Sequence, residues 1–192
     1  MKENPEEEKK EHGDELFSKL LKTRTIVLAD EIDKKSAQRI ITQLLLLEAD
    51  NPNEEIKMFI DSPGGDADAG FALFDMIRFI KPRVRTICAG ITASAAVIVL
   101  MAAKKEDRLA LPNARVLIHQ PSTGVAGSAA DIEIEASEIL KFRDKINKLI
   151  AGETGQPLEK VERDTKRNFW MSAEEALKYG LVSRVVKTRD EL

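Results

Sequence analysis

The chain has 192 residues, and its 30 lysines and arginines nearly balance its 33 aspartates and glutamates, so the net charge is −3. This length suits one domain with a sizeable buried core, and 43% hydrophobic with 33% charged residues excludes a disordered polymer and a membrane bundle. A general nucleic-acid binder needs a positively charged surface, which this balance does not supply. The single cysteine, Cys88, excludes an internal disulfide and a cysteine-rich metal site, and it fits a reducing compartment.

The first 15 residues differ from the rest, because they contain seven acidic and three basic side chains and no apolar run. We therefore expect residues 1–15 to be a charged, disordered segment rather than a secretory signal, and residues 16–192 to form one domain. The longest uncharged stretch, residues 86–103, reaches the minimum length of a membrane span. It begins as a β-type run and continues as an alanine-rich helix former, which favours a buried strand–turn–helix. We accordingly expect a soluble, cytoplasmic protein without membrane contact.

Strand-like and helix-like segments then alternate along the chain. The predicted strands cover residues 25–28, 56–60, 84–89 and 115–118. Between them, Asp33 and Asp66 stand where they can cap amphipathic helices, and a third helix is predicted over residues 94–103. This alternation indicates βαβ units around a mostly parallel sheet.

The pattern changes in the last third of the chain. Residues 121–130 are rich in Gly, Ser, Thr and Ala, and a long amphipathic helix is predicted over residues 131–153. That helix is longer than a small sheet needs, so part of it can project and pack on another subunit. A last short helix, predicted from the capping box of Ser172 and Glu175, precedes a strand over residues 181–186.

Ser94 follows a predicted buried strand and begins a helix. That geometry resembles a nucleophile elbow, in which the hydroxyl stands at the end of a strand and the N–H groups of the next helical turn can bind an anion. Small neighbours such as Gly90, Ala93 and Ala95 let a substrate backbone approach closely. The alternative is that Ser94 only caps the helix, which is the commoner role of a serine at this position. Local sequence leaves both interpretations open.

Gly64 and Gly65 follow another predicted strand and precede a helix. Glycines at such a point permit positive φ and expose N–H groups, which is one way to build an oxyanion hole, although a simple turn is equally compatible. Asp66 and Asp68 suggest a metal site, but no further ligands cluster with them, and helix capping is favoured. We predict no metal site in this chain.

His119 is the only histidine within the predicted domain, because His12 lies in the charged segment. It ends a strand and precedes Gln120 and Pro121, where a nucleophile on a neighbouring strand could reach its ring. A lone histidine is more often structural, but this one is the only general base of its type available.

Several motifs, taken together, resemble those of a known family. They are Ser-Pro-Gly-Gly at 62–65, Gly-x-x-Ala-Ser-x-Ala at 90–96, Ile-His-Gln-Pro at 118–121, the long helix, and Met-Ser-Ala-Glu-Glu-Ala-x-x-Tyr-Gly-Leu at 171–181. Their order and spacing over residues 16–186 resemble the ClpP family, the proteolytic subunit of the Clp protease. The resemblance implies an α/β ClpP/crotonase-like fold of repeated βαβ units with a protruding handle helix.

The resemblance also implies roles for individual residues. Ser94 would be the nucleophile of a serine peptidase and His119 its general base, while the N–H groups of Gly65 and Ala95 would hold the oxyanion. The glycine-rich segment 123–129 would pair with the substrate as an added strand. The residues expected along the bound substrate are Gly64, Thr123, Gly124 and Val125.

The third member of the triad departs from the family pattern. The family aspartate ends a segment of the form Asp-Thr-x-Arg-Asp, whereas this chain reads Asp164-Thr-Lys-Arg-Asn168. Asn168 can accept a hydrogen bond from the histidine, but it supplies no charge to stabilise an imidazolium, so we expect weak activity from this chain alone. Lys166 replaces what is usually an acidic residue at ring-to-ring contacts, beside the retained Arg167. Asp164 is an alternative acid if the segment folds differently.

The resemblance implies hydrolysis of unfolded polypeptides inside two stacked heptameric rings, homo- or hetero-oligomeric, fed by an AAA+ ATPase unfoldase and needing no cofactor in the chamber. Two other functions stay open. One is a low-activity regulatory subunit of a mixed ring with an active paralogue, which Lys166 and Asn168 motivate. The other is a crotonase acting on acyl-CoA, against which Ser94 and His119 together argue.

Overall fold

The computed structural model describes residues 18–122 and 124–192. The predictions for residues 1–15 and for Thr123 lie outside the described residues. The strands are β1 (Thr25–Leu28), β2 (Ile56–Ser62), β3 (Val84–Ala93), β4 (Arg108–Ala110), β5 (Arg115–Ile118), β6 (Phe169–Ser172) and β7 (Arg184–Val185). The main helices are α1 (Lys34–Asp50), α2 (Ala67–Phe79), α3 (Ala95–Leu100), α4 (Ala129–Thr154), α5 (Leu158–Asp164) and α6 (Ala173–Tyr179).

The seven strands of the described residues belong to one sheet, which is parallel except at one edge. β1, β2, β3, β4 and β7 lie side by side in that order. The first part of β3 pairs with β4, and its last residues, Ile91 to Ala93, pair in parallel with β5. Gly90, at φ 131°, lies between the two parts of β3, and the Asp61 carboxylate accepts a hydrogen bond from the next N–H, that of Ile91, at 2.8 Å. β6 runs antiparallel to β5. This mixed sheet with βαβ connections confirms the predicted α/β class.

Side-chain caps set the starts of the helices. Asp33 and Ser36 form a reciprocal capping box at α1. The Asp66 carboxylate accepts hydrogen bonds from the N–H groups of Asp68 and Ala69 at α2, at 2.8 and 3.1 Å. This contact is the capping role that the sequence favoured for Asp66. It satisfies two of the N–H groups that a helix start leaves without a partner.

The uncharged stretch at residues 86–103 is a buried strand–turn–helix, as the sequence predicted. It forms most of β3 and all of α3, and α3 is buried along its whole length. α1, α2 and α3 contribute to one continuous apolar core with the central strands. Within the described part of the chain, no helix is long and apolar enough to span a membrane.

α4 has two different halves. Its carboxyl-terminal half is anchored in the protein by the buried residues Ile146, Asn147, Ile150 and Thr154. Its amino-terminal half exposes large apolar side chains, including Ile134 at 61%. The projecting half is the protruding helix that the sequence predicted.

Some boundaries differ from the sequence prediction. α3 begins after Ser94 and ends at Leu100, so it is shorter than the predicted 94–103. The last strand covers only Arg184–Val185 instead of 181–186, because the chain leaves α6 through a left-handed Gly180 and buries Leu181 before it pairs with β4. The short elements β4, α5 and β6 were not predicted.

Candidate active site

The site lies where the carboxyl ends of three strands meet. Gly64 and Gly65 follow β2, Ser94 follows β3, and His119 follows β5. Parallel strands place their carboxyl ends at the same edge of a sheet, so these residues converge. Asn168 joins them because β6 is antiparallel to β5 and pairs Phe169 with Ile118.

Ser94 occupies a strained backbone position. Its φ of 56° and ψ of −120° lie in a region that glycine normally occupies, and such a position costs about 1–3 kcal/mol for other residues. Its side chain makes no capping hydrogen bond to α3, so the helix-cap interpretation of Ser94 is wrong. Its N–H instead donates to the carbonyl oxygen of Leu117 on β5 at 2.9 Å. This sharp turn from strand to helix points the hydroxyl toward His119, in the manner of a nucleophile elbow.

Three side chains form a continuous hydrogen-bonded row. The Ser94 Oγ lies 2.8 Å from the His119 Nε2, and the His119 Nδ1 lies 3.1 Å from the Asn168 Oδ1. Ser94 and His119 are partly buried, whereas Asn168 is exposed. When the histidine proton is on Nδ1, that N–H donates to Asn168 and Nε2 accepts from the Ser94 hydroxyl.

Asp164 does not reach the histidine, so the alternative that it completes the triad is wrong. Its Oδ2 accepts hydrogen bonds from the Lys160 Nζ at 2.6 Å and from the Tyr179 hydroxyl at 2.9 Å. Burial and the neighbouring Asp164 both raise the pKa of Tyr179, so its hydroxyl keeps the proton that it donates. The carboxylate is therefore fixed in the packing between α5 and α6.

Two backbone N–H groups beside Ser94 are free to bind an oxyanion. Ile32 hydrogen-bonds the residues on either side of Gly65, through the Gly64 carbonyl and the Asp66 N–H at 2.8 and 2.7 Å. In this parallel arrangement the N–H of Gly65 itself faces away from Ile32. Ala95 is the first residue of α3, where a helix leaves its N–H groups unused. No described residue accepts a hydrogen bond from either N–H.

Gly64 makes the close approach between the two turns possible. Its φ is 91°, and a Cβ at this position would lie 2.4 Å from the Ala93 carbonyl oxygen and 2.8 Å from the Ser94 Cβ. A side chain there would displace the turn that presents the Ser94 hydroxyl. Gly64 is buried behind Ser94, so the structure places it as a support of the turn as well as at the rim of the cavity.

A cavity of about 560 Å³ opens beside these groups. Its wall contains Ser94, His119 and Gly65 together with apolar side chains of α3, of the residue after it and of α4. The apolar part includes Ile98, Met101, Ile146 and Ile150. These residues carry no motif that points to the site, although Ile146 and Ile150 lie four positions apart on the buried stripe of α4.

Gly124 and Val125, which are also expected along the substrate, lie apart from this cavity. Gly124 and Val125 are exposed in the loop between β5 and α4, and no heavy atom lies within 4 Å of where a Gly124 Cβ would stand. Neither residue lines the cavity. Their contact with a substrate strand stays a prediction, as does that of Thr123.

A hydroxyl on a strained strand-to-helix turn, an imidazole in contact with it and two free N–H groups alongside define the class of serine hydrolases. A family model described as Clp protease matches residues 8–189 of this chain. The chain belongs to the Clp protease family, and it is a serine endopeptidase.

Individual relatives agree with this assignment. An ATP-dependent Clp protease proteolytic subunit 2 from Treponema denticola is 52% identical over 194 residues, covering 100% of this chain and 97% of the relative. A protein of the same description from Treponema pallidum is 50% identical over 190 residues, covering 97% and 96%. Among solved structures, an asparagine-to-aspartate mutant of ClpP1 from Listeria monocytogenes matches with a TM-score of 0.84 and 45% identity, covering 91% of this chain and 98% of that one.

Proposed function

We propose that this chain is the proteolytic subunit of an ATP-dependent Clp protease, which hydrolyses unfolded polypeptides to short peptides inside a chamber of two stacked seven-membered rings. An AAA+ ATPase unfoldase would deliver the polypeptide. The observation that carries the proposal is the 2.8 Å contact between the Ser94 hydroxyl and the His119 Nε2, on a serine backbone whose strain serves no capping purpose. The two relatives from Treponema are described as proteolytic subunits of an ATP-dependent protease, which supports the same role.

The proposed reaction proceeds through an acyl-enzyme. The Ser94 Oγ attacks the carbonyl carbon of the peptide while the His119 Nε2 takes the hydroxyl proton, and the resulting oxyanion is bound by the N–H groups of Gly65 and Ala95. The C–N bond then breaks, and the imidazolium returns its proton to the leaving amine. Water repeats the sequence on the ester, with His119 as the base. None of these steps requires a metal or an organic cofactor.

Asn168 weakens this mechanism for two reasons. An amide supplies no negative charge to stabilise the imidazolium that forms during attack. It also has both a donor and an acceptor, so a rotated amide would present its NH₂ to the His119 Nδ1 and leave the histidine proton on Nε2. The ring nitrogen facing Ser94 would then be a donor and could not take the hydroxyl proton. No other described side chain holds the Asn168 NH₂, and the residue is exposed, which leaves this rotation open.

The same observation favours a second function. A chain with an amide in place of the triad carboxylate would serve well as a low-activity subunit that shapes a mixed ring containing an active paralogue. Lys166 and Arg167, both exposed beside Asn168, support this alternative because two adjacent cations suit a partner with acidic groups. The Listeria structure is described as an asparagine-to-aspartate mutant, so the same type of exchange has been made in a related protein.

Ring assembly would also account for the projecting half of α4. Ile132, Ile134 and Leu140 are 45%, 61% and 50% exposed, and packing against another subunit would remove these large apolar side chains from water. Light scattering at micromolar concentration should give the mass of a ring or a double ring. A stable monomer would contradict the assembly.

The decisive experiment treats the purified oligomer with a fluorophosphonate and weighs the intact chain by mass spectrometry. Wild type should gain one adduct per chain, and Ser94→Ala should gain none while keeping the same oligomer size. An equal adduct in Ser94→Ala would place the nucleophile elsewhere. Cleavage of a short fluorogenic peptide, with and without an active paralogue, separates the independent peptidase from the regulatory subunit. Binding of CoA without labelling of Ser94 would favour the acyl-CoA alternative.

A further inference from the structure

Hydrogen bonds outside the triad hold the segment that carries Asn168. The Gln120 N–H donates to the Thr165 carbonyl oxygen at 2.6 Å, and the Gln120 Nε2 donates to the Lys166 carbonyl oxygen at 3.1 Å. Gln120 directly follows His119, so these two bonds link the backbone next to the imidazole with the backbone just before Asn168. These bonds restrict the distance between the His119 and Asn168 side chains.

A buried contact joins the same segment to α4. The Thr165 Oγ1 lies 2.9 Å from the Asn147 Oδ1 and 2.9 Å from the Val161 carbonyl oxygen. Thr165 is 1% exposed and Asn147 is 2% exposed. A buried amide is unfavourable unless it is hydrogen-bonded, so this pair is a specific feature of the packing.

Asn147 lies in the part of α4 that forms the wall of the cavity beside Ser94. Its neighbour Ile146 and the residue one turn later, Ile150, line the cavity beside Ser94. Asn147 therefore connects the wall of that cavity with the segment that ends at Asn168. Neither Asn147 nor Thr165 lines the cavity itself.

We infer that Thr165 and Asn147 are positioning residues for the reaction. Their buried hydrogen bond holds the carboxyl end of α5 against α4, and this sets how the Asn168 side chain meets the His119 Nδ1. The inference rests on the proposed function, because it assigns both residues an effect on the reactivity of Ser94 that is exerted through Asn168.

The test compares substitutions that remove or keep one hydroxyl. Thr165→Val is nearly isosteric but loses the hydrogen bond to Asn147, and Thr165→Ser keeps it. The matched control is Thr154→Val, since Thr154 is likewise a buried threonine at a helix end, and its Oγ1 donates to the Ile150 carbonyl oxygen at 2.6 Å. Thr154 is buried at the end of α4 and makes no described contact with residues 165–168.

The readout is the rate of fluorophosphonate labelling of Ser94, with the Tm of each variant measured in parallel. A misplaced catalytic group can lower a rate by up to about a hundredfold, so we expect Thr165→Val to label at least about tenfold more slowly than wild type. Thr165→Ser and Thr154→Val should stay within about threefold of wild type, although Thr154→Val should lower the Tm as much as Thr165→Val does. Equal losses in Thr165→Val and Thr165→Ser, or in Thr165→Val and Thr154→Val, would overturn the inference.

A double-mutant cycle with Asn168→Asp shows whether Thr165 acts through the triad. If it does, the gain in labelling rate from Asn168→Asp should be at least about tenfold smaller in the Thr165→Val background, because residues coupled through a shared backbone shift are not additive. The same gain in both backgrounds would show that Thr165 only stabilises the fold. If Thr165→Val does not fold, Asn147→Ser removes the contact from the other side and should give the same loss. Absence of Ser94 labelling in every variant overturns the proposed function and this inference with it, whereas labelling with additive effects overturns the inference alone.

Discussion

The two ends of the parallel sheet are built from different chemistry. At the carboxyl ends of β2, β3 and β5, the five residues that meet at the reactive groups include no carboxylate, lysine or arginine: they are two glycines, a serine, a histidine and an asparagine. At the amino ends of β2, β3 and β4, the chain instead concentrates charged side chains. They are Glu55, Arg83, Arg85, Asp107 and Arg108, with Arg78 and Glu153 packed beside them.

The amino-terminal end is held by ion pairs around two carboxylates. Asp107 is 1% exposed and accepts hydrogen bonds from the Arg83 Nε at 2.8 and 2.9 Å. Glu153 accepts from Arg78 at 2.6 Å and from the buried Arg108. A buried charge is tolerated only when it is paired in this way, so these contacts maintain the fold at that end.

The carboxyl-terminal end is held by backbone conformation. Ser94 and Gly64 adopt positive φ, and the row of side chains from Ser94 to Asn168 contains no fixed charge. This site therefore depends on shape, and Asn168→Asp would add a charge to a row of side chains that otherwise lacks one.

The largest effect is expected from adding that charge. Asn and Asp have nearly the same shape, so Asn168→Asp should fold normally and hold the histidine proton on Nδ1. In serine proteases the reverse exchange lowers kcat by about 10⁴, so the peptidase rate should rise by up to about 10⁴. The assay compares wild type and Asn168→Asp at matched oligomer size. An unchanged rate with reactive Ser94 in both would show that the amide already suffices.

The next effect comes from the shape of the same end. Gly64→Ala places a Cβ against the Ala93 carbonyl oxygen and in a left-handed backbone, so the turn must shift. A shift of this size should lower fluorophosphonate labelling of Ser94 by about a hundredfold. Gly152→Ala is the matched control, because it lies in α4 with nothing within 4 Å of the new Cβ. It should leave labelling unchanged and stabilise the helix by about 0.5–1 kcal/mol. Equal labelling of the two variants would show that the close approach of Gly64 is unimportant.

The charged end should respond to pH instead. Burial alone raises the pKa of Glu153, but hydrogen bonds from Arg78 and Arg108 outweigh it, so that pKa lies below the ordinary value of 4.5. A carboxyl group with a lowered pKa stabilises the fold above its unfolded pKa and loses this contribution as the pH falls through the folded pKa. Glu153→Gln should therefore cost about 2 kcal/mol of unfolding free energy at pH 7, less than for a fully buried pair because Glu153 is partly exposed.

The measurement is denaturant unfolding of wild type and Glu153→Gln between pH 7 and pH 3. Their difference should be constant down to about pH 4.5 and shrink below it. Glu106→Gln, an exposed carboxylate in the same region, should change stability by less than about 0.5 kcal/mol. A difference between wild type and Glu153→Gln that persists at pH 3 would mean that packing, not charge, holds this end.

The smallest effect is expected at the middle of β3, between the two ends. Cys88 is fully buried, and burial raises the pKa of its thiol to about 12. The raised pKa keeps the thiolate scarce at pH 8 and burial blocks access to the sulfur, so the native protein should not react with iodoacetamide within an hour. Complete reaction should follow in guanidinium chloride. Rapid reaction of the native protein would reveal local opening of the sheet centre.

The sequence predicted the elements that carry strong local signals. α1 and α2 begin directly after Asp33 and Asp66, the two aspartates that were predicted to cap them. The long helix α4 was predicted from the apolar stripe in residues 131–153. β4 contains only three residues, and β6, although as long as the predicted strands β1 and β5, runs directly into the capping box of α6. Their positions depend on pairing with β3 and β5, which is a tertiary contact and not a local preference.

The same limit applies to the site. Motif order selected Ser94, His119 and Asn168, and the structure brings them together. Nothing local distinguishes Thr165 from any other threonine at a helix end, because its buried partner, Asn147, lies 18 residues earlier. The orientation of Asp164 toward Tyr179 is likewise decided by the packing of α5 against α6. Contacts between distant segments set these details, and they cannot be read from either segment alone.

At Ser94, the residue that supplies the nucleophile also lowers the stability of the fold. Its φ of 56° suits glycine and strains serine, so Ser94→Gly should remove the strain together with the nucleophile. We expect this inactive chain to resist unfolding better than the active one, by about 1 kcal/mol after the greater freedom of glycine in the unfolded state is subtracted. Selection for thermal stability alone would thus replace the residue that performs the chemistry. Engineering of a more stable enzyme therefore has to keep Ser94.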